Sequence, residues 1–281
     1  MKDVQNSPDN RKINIDKVGI KNLRLPVTVK DKAHGIQHTT AEINFYVDLP
    51  HHFKGTHMSR FVEILNEHRY TFDIQRLDNI LLTARRKLRA LKAHLELTFP
   101  YFIEKEAPVS GSPGLIDYLC TVSAESNGDN TVKTVLTVRV PVTSLCPCSK
   151  EISKYGAHNQ RSIVTLSVKT NSHIWLEELI RLIENEASCE VYSLLKREDE
   201  KYVTEQAYDN PVFVEDIVRG VTEKISRDPR VDWFTVESEN MESIHNHNAY
   251  AYIERNLKAE RDEKSASLGD RRREISEIKA D

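Results

Sequence analysis

Two segments near the start of the chain combine apolar and polar residues in the manner of β-strands. Residues 23–29 and 39–49 are rich in strand-forming side chains, and the second shows partial alternation. Pro26 indicates that the first segment is an edge strand or carries a bulge, because proline has no N–H to donate to a neighbouring strand. Pro50 ends the second segment. The pattern therefore predicts that a pair of strands opens the folded part of the chain.

Helical spacing replaces this alternation after the strand pair. Apolar residues recur on one side of a helix over residues 59–67 and again over about 78–94. The apolar positions are Phe61, Ile64 and Leu65 in the first helix and Leu81, Leu82, Leu88 and Leu91 in the second. Strands are predicted over 93–101 and 114–124, and a turn over 127–130 follows them.

The second half of the chain repeats this succession of elements. The predicted elements are strands over 131–140 and 160–169, helices over 173–187 and 211–225, and strands over 231–239 and 247–253. Pro211 suits the first turn of the helix that it opens, where a backbone N–H has no partner within the helix. The segment between the first two of these strands is predicted to be a loop.

The order strand, strand, helix, helix, strand, strand occurs twice, which predicts an α+β fold. A tandem repeat of this kind makes two antiparallel sheets with helices packed on one face. We place the modules at residues 19–125 and 126–258, and the duplication rests on element order alone. Residues 1–18 are expected to form a flexible or draped arm. Residues 259–281 are expected to form a charged tail, either a solvated helix or disordered.

The charge and the apolar content of the chain exclude several classes of partner. The protein has 281 residues and a net charge of −3, so no overall positive field attracts nucleic acid. Residues 1–16 are polar and lack the apolar core of a signal peptide. No apolar run approaches the length of a membrane span. A cytoplasmic protein without a nucleic-acid or membrane partner is therefore expected.

Residues 144–161 hold the side chains with the clearest chemistry. They include Cys146 and Cys148, which are two of only four cysteines in the chain. In a cytosolic chain of this size, so few cysteines are better explained as ligands, nucleophiles or buried thiols than as a disulfide framework. The other two, Cys120 and Cys189, are predicted to be buried apolar thiols.

Cys146 and His158 together suggest a metal site. A thiolate and an imidazole that converge are ligands that zinc and similar divalent ions prefer. Cys148 supplies a second thiol, which suggests one sulfur for the metal and one for the substrate. A closed structural site requires four protein ligands, so these residues favour an open catalytic site completed by a carboxylate and water. Their spacing fits equally well with two loop thiols and a surface histidine.

Acidic residues suited to complete such a site cluster in residues 196–211, which we predict to be a loop. The candidates for a carboxylate ligand or a general base are Glu198, Asp199, Glu200 and Glu205. Composition alone favours a solvated run of charges here. Glu215 lies where the following helix is predicted to open. An acid there either interacts favourably with the helix dipole or pairs with the N–H and amino group of a guanine edge.

Glu242, His245 and His247 lie close together in a predicted turn that leads into a strand. In an extended segment the two histidines would point to the same side. That arrangement suits proton transfer, phosphate contact or metal binding. A turn that is merely polar is the alternative, although two histidines beside an acid favour a site.

Five blocks of the sequence together resemble the type IB GTP cyclohydrolase I family, the prokaryotic-specific form. The blocks are GTHMSRF at 55–61, SLCPCSK at 144–150, GAHNQR at 156–161, EKYVTE at 200–205 and ESIHNH at 242–247. The resemblance implies that the protein opens the imidazole ring of GTP, releases C8 as formate and closes a pterin ring. The product is 7,8-dihydroneopterin triphosphate, which feeds folate and queuosine synthesis. Tandem tunnelling-fold modules, a barrel-like homotetramer and a divalent metal ion (Zn²⁺, Mn²⁺ or Fe²⁺) are also implied.

The same resemblance implies roles for individual residues. The implied metal ligands are Cys146, His158 and Glu200; the implied catalytic residues are Cys148, Glu242, His245 and His247; the implied guanine ligand is Glu215. The metal would activate a water molecule for attack on purine C8. Charge and position add Ser149, Lys150 and Arg161 as predicted ligands of the triphosphate.

Two other enzymes of the tunnelling fold, a nitrile reductase and a pyruvoyl-tetrahydropterin synthase, are the alternatives. The first requires a lone nucleophilic cysteine and an NADPH site, and the second requires a set of three zinc-binding histidines. The sequence shows neither signature. A binding module stabilised by metal is a non-enzymatic alternative, but it leaves Cys148 and the histidine-rich turn without a role.

Overall fold

The computed structural model describes residues 5, 7, 10–68, 77–129, 131–263 and 266. The chain divides into two compact units. Unit 1 comprises Met1–Glu106 and Ser112–Arg139, and unit 2 comprises Ala107–Gly111 and Val140–Asp281. The division between Arg139 and Val140 falls inside one long strand. The module boundary at 125/126 rests on element order, which this division does not test, and it stays a prediction.

Unit 1 contains an antiparallel sheet of consecutive strands. The strands are β1 (Ile15–Asp31), β2 (Gly35–Leu49), β3 (Ala93–Glu106), β4 (Pro113–Ser126) and the first part of β5 (Val132–Leu145), paired in that order. The strands predicted in this half are therefore confirmed, and each extends beyond its predicted range. Pro26 lies in β1 opposite Thr40 of β2. Because β1 is the first strand of the sheet order, the edge position expected from Pro26 is confirmed.

β1 begins earlier than the predicted N-terminal arm allows. Ile15 pairs with Leu49 and Val18 with Val47, so residues 15–18 belong to the sheet and the arm prediction is wrong for them. Residues 1–4, 6, 8 and 9 lie outside the described residues. Register shifts flank Gly19 on both sides. A Cβ at Gly19 would lie 1.9 Å from the backbone oxygen of Phe45, so only glycine fits this close approach of the two strands.

Two helices pack against this sheet. α1 spans Met58–Glu67, and its predicted apolar positions Phe61, Ile64 and Leu65 are all buried. The ring of Phe61 meets that of Phe45 edge-on, with centroids 5.3 Å apart. Phe45 alternates with other inward-facing residues along β2, and it lies opposite Leu95 of β3. The apolar face of the sheet is therefore the face that the helix covers.

The second helix is shorter than predicted. α2 spans Leu77–Leu88, whereas the apolar pattern predicts a helix to residue 94. Arg89 has a φ of +54°, which a helix cannot continue through. Leu91 then lies 64% exposed, and β3 starts at Ala93. The leucine spacing beyond residue 88 is therefore coincidental.

The described strands form one nine-stranded sheet in which β5 belongs to both units, so the expectation of two separate sheets is wrong. The elements of unit 2 are the end of β5, α3 (Pro147–Ile152), β6 (Asn159–Thr170), α4 (Leu176–Glu184), β7 (Cys189–Glu190), α5 (Arg197–Asp209), α6 (Val214–Ile225), β8 (Val231–Asn240) and β9 (Ala249–Arg255). The strand order is β5, β6, β8, β9, and β7 pairs with β5. α6 packs on β8, β9 and α4 through a buried face that includes Ile217 and Val221. The predicted order of strands and helices is thus present, with α3, β7 and α5 added.

Four predictions within unit 2 are corrected. The segment between β5 and β6 contains the short helix α3, and residues 197–209 form α5, so neither is simply a loop. α4 is shorter at both ends than the predicted helix over 173–187. α6 begins at Val214, so Pro211 lies before its first turn. Local caps explain two of these changes: Asp199 accepts a hydrogen bond from the N–H of Lys196, and Asp216 accepts one from that of Phe213.

The described part of the C-terminal tail continues as a helix. Residues 257–263 are helical, and Leu257 is buried. Arg261 forms an ion pair with Asp232 of β8 at 2.6 Å, which holds the helix to unit 2. Residues 259–263 are helical and mostly exposed, in agreement with the solvated-helix alternative. Residues 264, 265 and 267–281 lie outside the described residues. Among the described residues, no helix combines the length and apolar character needed to span a membrane.

Candidate active site

Cys146 occupies the N-cap of α3. Its backbone is extended, with φ −69° and ψ 116°, and Pro147 provides the first helical position. The sulfur of Cys146 accepts a hydrogen bond from the backbone N–H of Ser149 at 3.4 Å. A cap residue accepts from the helix N–H groups that have no partner within the helix. The thiol is therefore held at the start of α3, in a half-buried position.

His158 lies next to Cys146 because the two ends of the segment are joined. The backbone N–H of Cys146 donates to the carbonyl oxygen of His158 at 3.1 Å. The N–H of His158 donates in turn to the hydroxyl of Ser149 at 3.2 Å. Gly156 has a φ of +128°, which allows the chain to return after α3. The backbones of Cys146 and His158 are thus joined, and the convergence of the thiol with the imidazole stays a prediction.

Cys148 lies in the first turn of α3 and is exposed. Cys120 and Cys189 are buried, as predicted for apolar thiols, and the sulfur of Cys189 lies 3.7 Å from Oε1 of Gln206. Among the described residues no disulfide joins the cysteines. Cys148 is therefore the cysteine with the greatest access to a substrate.

The ring of His158 is held between two oxygen-bearing side chains. Its Nδ1 lies 2.9 Å from Oε1 of Gln160 and 3.9 Å from Oε2 of Glu242. The His158 and Glu242 side chains are only 14% and 12% exposed. A carboxylate this close to an imidazole in a largely buried position suits proton transfer. The structure thus brings Glu242 to the Cys146–His158 pair.

His245 and His247 lie in a bend before β9, not in an extended segment. Both residues are exposed. Their rings nevertheless stack, with centroids 5.1 Å apart and an interplanar angle of 24°. The prediction of an extended segment is therefore corrected, because the chain bends over 243–247 and β9 starts only at Ala249. The two imidazoles still form one exposed pair in the same loop as Glu242.

The four candidate acids within residues 196–211 divide into different roles. Asp199 is fully buried in α5 and accepts hydrogen bonds from the backbone N–H groups of Val109 and Ser110 and from the Ser110 hydroxyl, at 2.7–2.9 Å. Burial by itself raises the pKa of the Asp199 carboxyl, but these hydrogen bonds stabilise its charged form and hold the pKa well below the usual range. Glu200 is exposed on the same helix. Asp199 therefore anchors the loop Ala107–Gly111 within unit 2, and it has no spare oxygen for a metal.

Replacing Asp199 with asparagine is expected to lower the melting temperature at pH 7 by several degrees. The amide NH₂ would face N–H donors and leave at least one of them without an acceptor. Because folding depresses the pKa of Asp199, its stabilisation is present above the unfolded-state value of about 3.9 and is lost as pH falls through the folded-state value. Thermal denaturation at pH 7 and in acid measures this, with Glu198→Gln on the exposed side of α5 as control. Equal melting temperatures for wild type and Asp199→Asn at pH 7 would contradict the anchoring role.

Glu205 and Glu198 both lie exposed on α5. Glu205 forms an ion pair with Lys201 at 2.6 Å. Both match the solvated charge run that composition favours. Glu215 lies in the first turn of α6 and is exposed. Asp216 caps that helix, so the carboxylate of Glu215 is not needed as its cap.

The three predicted triphosphate ligands lie around α3 and β6. The hydroxyl of Ser149 accepts from the N–H of His158. The ammonium of Lys150 donates to the carbonyl oxygen of Tyr208 and lies 4.3 Å from the centre of that ring. Arg161 lines a cavity of about 260 Å³ together with Asn159, Glu190 and Tyr192. Hydrogen-bond donors therefore lie around α3 and β6, close in sequence to Cys146 and His158. Their contacts do not identify the group that they bind.

Comparison with known proteins establishes the family. The profile of the family described as type I GTP cyclohydrolase folE2 matches residues 1–251. This chain belongs to that family. GTP cyclohydrolase FolE2 of Syntrophus aciditrophicus (strain SB) is 60% identical over 255 residues, which are 91% of this chain and 100% of the relative. GTP cyclohydrolase FolE2 of Magnetococcus marinus is 57% identical over 254 residues, 90% of this chain and 96% of the relative.

Membership of this family makes the protein a GTP cyclohydrolase I enzyme, as the resemblance implied. It decides against the nitrile reductase, the pyruvoyl-tetrahydropterin synthase and the non-enzymatic module. Among solved structures, a hyper-thermostable AgUricase variant is similar with a TM-score of 0.50 at 12% identity, over 86% of this chain and 91% of the uricase. At this identity the likeness concerns the fold alone, and it agrees with an antiparallel α+β tunnelling fold.

The three implied metal ligands are not assembled in the described part of the chain. No group of three His, Cys, Asp or Glu side chains in those residues is placed to hold an ion. Cys146 and His158 are neighbours, whereas Glu200 lies exposed on α5. A thiol and a partly buried imidazole are still the donor types that zinc or iron(II) accepts. The pair therefore fits part of such a site, and its carboxylate ligand stays a prediction.

Sequence reasoning missed Gln160, which contacts the imidazole of His158 more closely than Glu242 does. A signal for it is present in the strand pattern. Gln160 begins a run of alternate buried positions that continues through Ser162, Val164 and Leu166 of β6. A polar residue at a core-facing position needs a hydrogen-bond partner. The pattern therefore indicates that Gln160 makes a specific polar contact.

Proposed function

We propose that the protein converts GTP and water into 7,8-dihydroneopterin triphosphate and formate at the site built on Cys146, Cys148, His158 and Glu242. The observation that carries this proposal is the joining of Cys146 and His158 by backbone hydrogen bonding, with Glu242 beside the imidazole. Family membership supports the overall reaction. The product would supply tetrahydrofolate synthesis and also queuosine synthesis, and the reaction would take place in the cytoplasm.

Substrate recognition in this proposal uses Glu215 and three hydrogen-bond donors around α3 and β6. The carboxylate of Glu215 would accept two hydrogen bonds from the N–H and amino group of guanine. Ser149, Lys150 and Arg161 would contact the triphosphate. Lys150 supports this assignment because its ammonium has three donors, and the carbonyl oxygen of Tyr208 takes only one.

A divalent metal ion is proposed to bind at Cys146 and His158, with Glu200 as the carboxylate ligand. Zn²⁺, Mn²⁺ and Fe²⁺ all suit this mixture of donors to some degree. When bound, such an ion supplies the means to ionise a water molecule near neutral pH. The chain's own part is to place the thiol at the cap of α3 and to hold the imidazole against Glu242.

Proton transfer is proposed for Glu242, His245 and His247, and contact with the purine for Cys148. Glu242 lies against His158 in a largely buried position, which favours a proton-transfer role. The exposed pair His245 and His247 would contact the ribose or phosphate groups. Cys148 is exposed in α3 and would lie near purine C8.

A homotetramer with a barrel-like form is proposed from the resemblance. Among the described strands, β1 pairs with β2 and β9 pairs with β8, so each has one edge without a strand partner. Unpaired edges of this kind are sites where another chain can add. Mass determination in solution, by light scattering on the full chain, would give four times 32.4 kDa for this assembly. A single-chain mass would reject it.

GTP turnover after metal addition is the test of the proposed function. Purified protein stripped of metal receives Zn²⁺, Mn²⁺ or Fe²⁺ separately, and formate and the fluorescence of the oxidised pterin are measured. Both products are expected with at least one ion, and stripped protein is expected to be inactive. Formate without pterin would show that ring opening occurs but that the later steps are misassigned. Neither product, from folded and metal-loaded protein, would reject the proposal.

A further inference from the structure

Five polar side chains are buried behind His158 in unit 2. They are Ser144 of β5, Gln160 and Ser162 of β6, and Ser238 and Asn240 of β8, and all are at most 8% exposed. Burying polar groups is costly unless each finds a hydrogen-bond partner. A cluster of this size at the centre of a sheet is therefore expected to form a connected network.

The network converges on the hydroxyl of Ser144. The amide nitrogens of Gln160 and Asn240 donate to it at 2.7 and 3.1 Å, and the hydroxyl of Ser162 lies 3.1 Å away. Asn240 accepts a further bond from Ser238 at 3.2 Å. With its nitrogen engaged in this way, Gln160 presents its amide oxygen to Nδ1 of His158 at 2.9 Å. The network thus extends from the sheet interior to the imidazole.

We propose that Gln160 is a positioning residue that keeps the neutral ring of His158 protonated on Nδ1 and so presents the lone pair of Nε2 to the site. An amide oxygen can only accept a hydrogen bond, so Nδ1 must be the donor. Only the unprotonated ring nitrogen can bind a metal or take up a proton. This inference rests on the proposed function, because it assigns Nε2 to the chemistry at that site.

Glu242 supplies an independent reason for this orientation of the Gln160 amide. If the amide were reversed, its NH₂ group would donate to Nδ1, and Nδ1 would carry a lone pair. That lone pair would then lie 3.9 Å from the Glu242 carboxylate, another group that can only accept. With the proton on Nδ1, both neighbouring oxygens face an N–H. The two contacts therefore favour the same tautomer.

The orientation of the ring also depends on the rigidity of Gln160. An exposed glutamine that binds a single partner pays an entropy cost, because its side chain must give up its other rotamers. Here burial and the contact with Ser144 already fix the side chain. The imidazole is consequently held by a group that cannot move away, which is the role that outer partners of metal-binding histidines have in general.

The tautomer of His158 can be measured directly by NMR on metal-free protein with ¹⁵N-labelled histidine, at a pH where the ring is neutral. The His158 signals are identified by their loss in His158→Asn. The Nδ1–H form is expected in the wild type. In Gln160→Leu the fraction of the Nε2–H form is expected to rise, and Gln160→Glu, which retains an acceptor, is expected to restore the Nδ1–H form.

The affinity for Zn²⁺, from competition with a chelator, should fall about 10–100-fold in Gln160→Leu.

Ser162→Ala is the matched control for loss of the network. It removes a member of the same buried network that is bonded to Ser144. It is expected to lower the melting temperature while leaving the His158 tautomer and the Zn²⁺ affinity unchanged. A structural role of Gln160 alone would instead make the two variants alike. If Gln160→Leu does not fold, the wild type and Gln160→Glu still decide the tautomer.

Two results would overturn the inference. One is an Nε2–H tautomer for His158 in wild-type protein, and the other is a Gln160→Leu variant with unchanged tautomer and unchanged Zn²⁺ affinity. Failure of the proposed function has a different signature, because folded wild-type protein loaded with metal would then yield no pterin from GTP. The tautomer measurement uses neither metal nor substrate, so the two failures are distinguishable.

Discussion

Cys146→Ala is expected to lose bound metal and GTP turnover together. The variant removes a proposed direct ligand, and changes to the outer partners of metal sites already cost about 10–100-fold in affinity or activity. A loss larger than about a hundredfold in kcat/KM is therefore expected. Metal content by elemental analysis and turnover by pterin fluorescence measure the two effects on the same sample. A full metal load in Cys146→Ala would reject the ligand assignment.

Loss of the helix cap is a second effect of this change, and it needs its own control. The sulfur of Cys146 accepts the N–H of Ser149, so alanine also removes a cap that is typically worth about 1 kcal/mol. Cys146→Ser keeps an acceptor at the cap while removing the soft thiolate. This variant should melt near the metal-free wild type yet still bind metal poorly. Cys120→Ala, at a buried thiol in unit 1, controls for the loss of a cysteine as such.

Cys148→Ala is expected to retain metal and lose turnover by about 10²-fold, the scale on which a misplaced substrate slows an enzyme, because the variant removes the thiol proposed to contact the purine near C8. Cys148 is exposed, and no hydrogen bond of α3 or of His158 described above depends on its side chain. The fold and the Cys146–His158 pair should therefore be unaffected. Single-turnover formation of formate and pterin, at saturating metal, measures the loss.

The measurement also separates the two cysteines. If Cys148→Ala loses metal as Cys146→Ala does, both sulfurs bind the ion and the division of roles is wrong. Near-normal turnover in Cys148→Ala would remove it from the catalytic residues. Cys148→Ser extends the test, because a hydroxyl retains the shape of the side chain but not the acidity of a thiol. Activity retained by serine but not by alanine would indicate a hydrogen-bonding role.

The strands and the apolar faces of the helices were predictable because they depend on local periodicity. Phe61, Ile64 and Leu65 share one side of α1 wherever that helix lies, and all three are buried. The end of α2 was not predictable in this way, since the leucine spacing runs on through Arg89. A single residue with positive φ ends the helix there, and apolar spacing carries no information about such a residue.

The chemistry of the site was predictable where the residues lie in one short segment. Cys146, Cys148 and His158 are close in the sequence, and the return of the chain at Gly156 brings the first and last together. The metal carboxylate was implied only by resemblance, and the described chain does not place Glu200 with the other two ligands. Asp199, its neighbour, has instead a structural role that follows from contacts with a loop far away in sequence.

The sequence by itself determined the longer strands, the helices α1, α2, α4 and α6, the family and the candidate residues for the chemistry, because these depend on local composition and on motifs. Only the tertiary structure decided which acid meets His158, which acid anchors a loop, and that the amide of Gln160 is bonded to Ser144 in a network that includes Asn240. Those contacts join β5, β6, β8 and the loop after β8, or α5 and a distant loop. Hydrogen bonding requires approach to about 3 Å, and only the packing of the sheets and helices brings residues so distant in sequence that close.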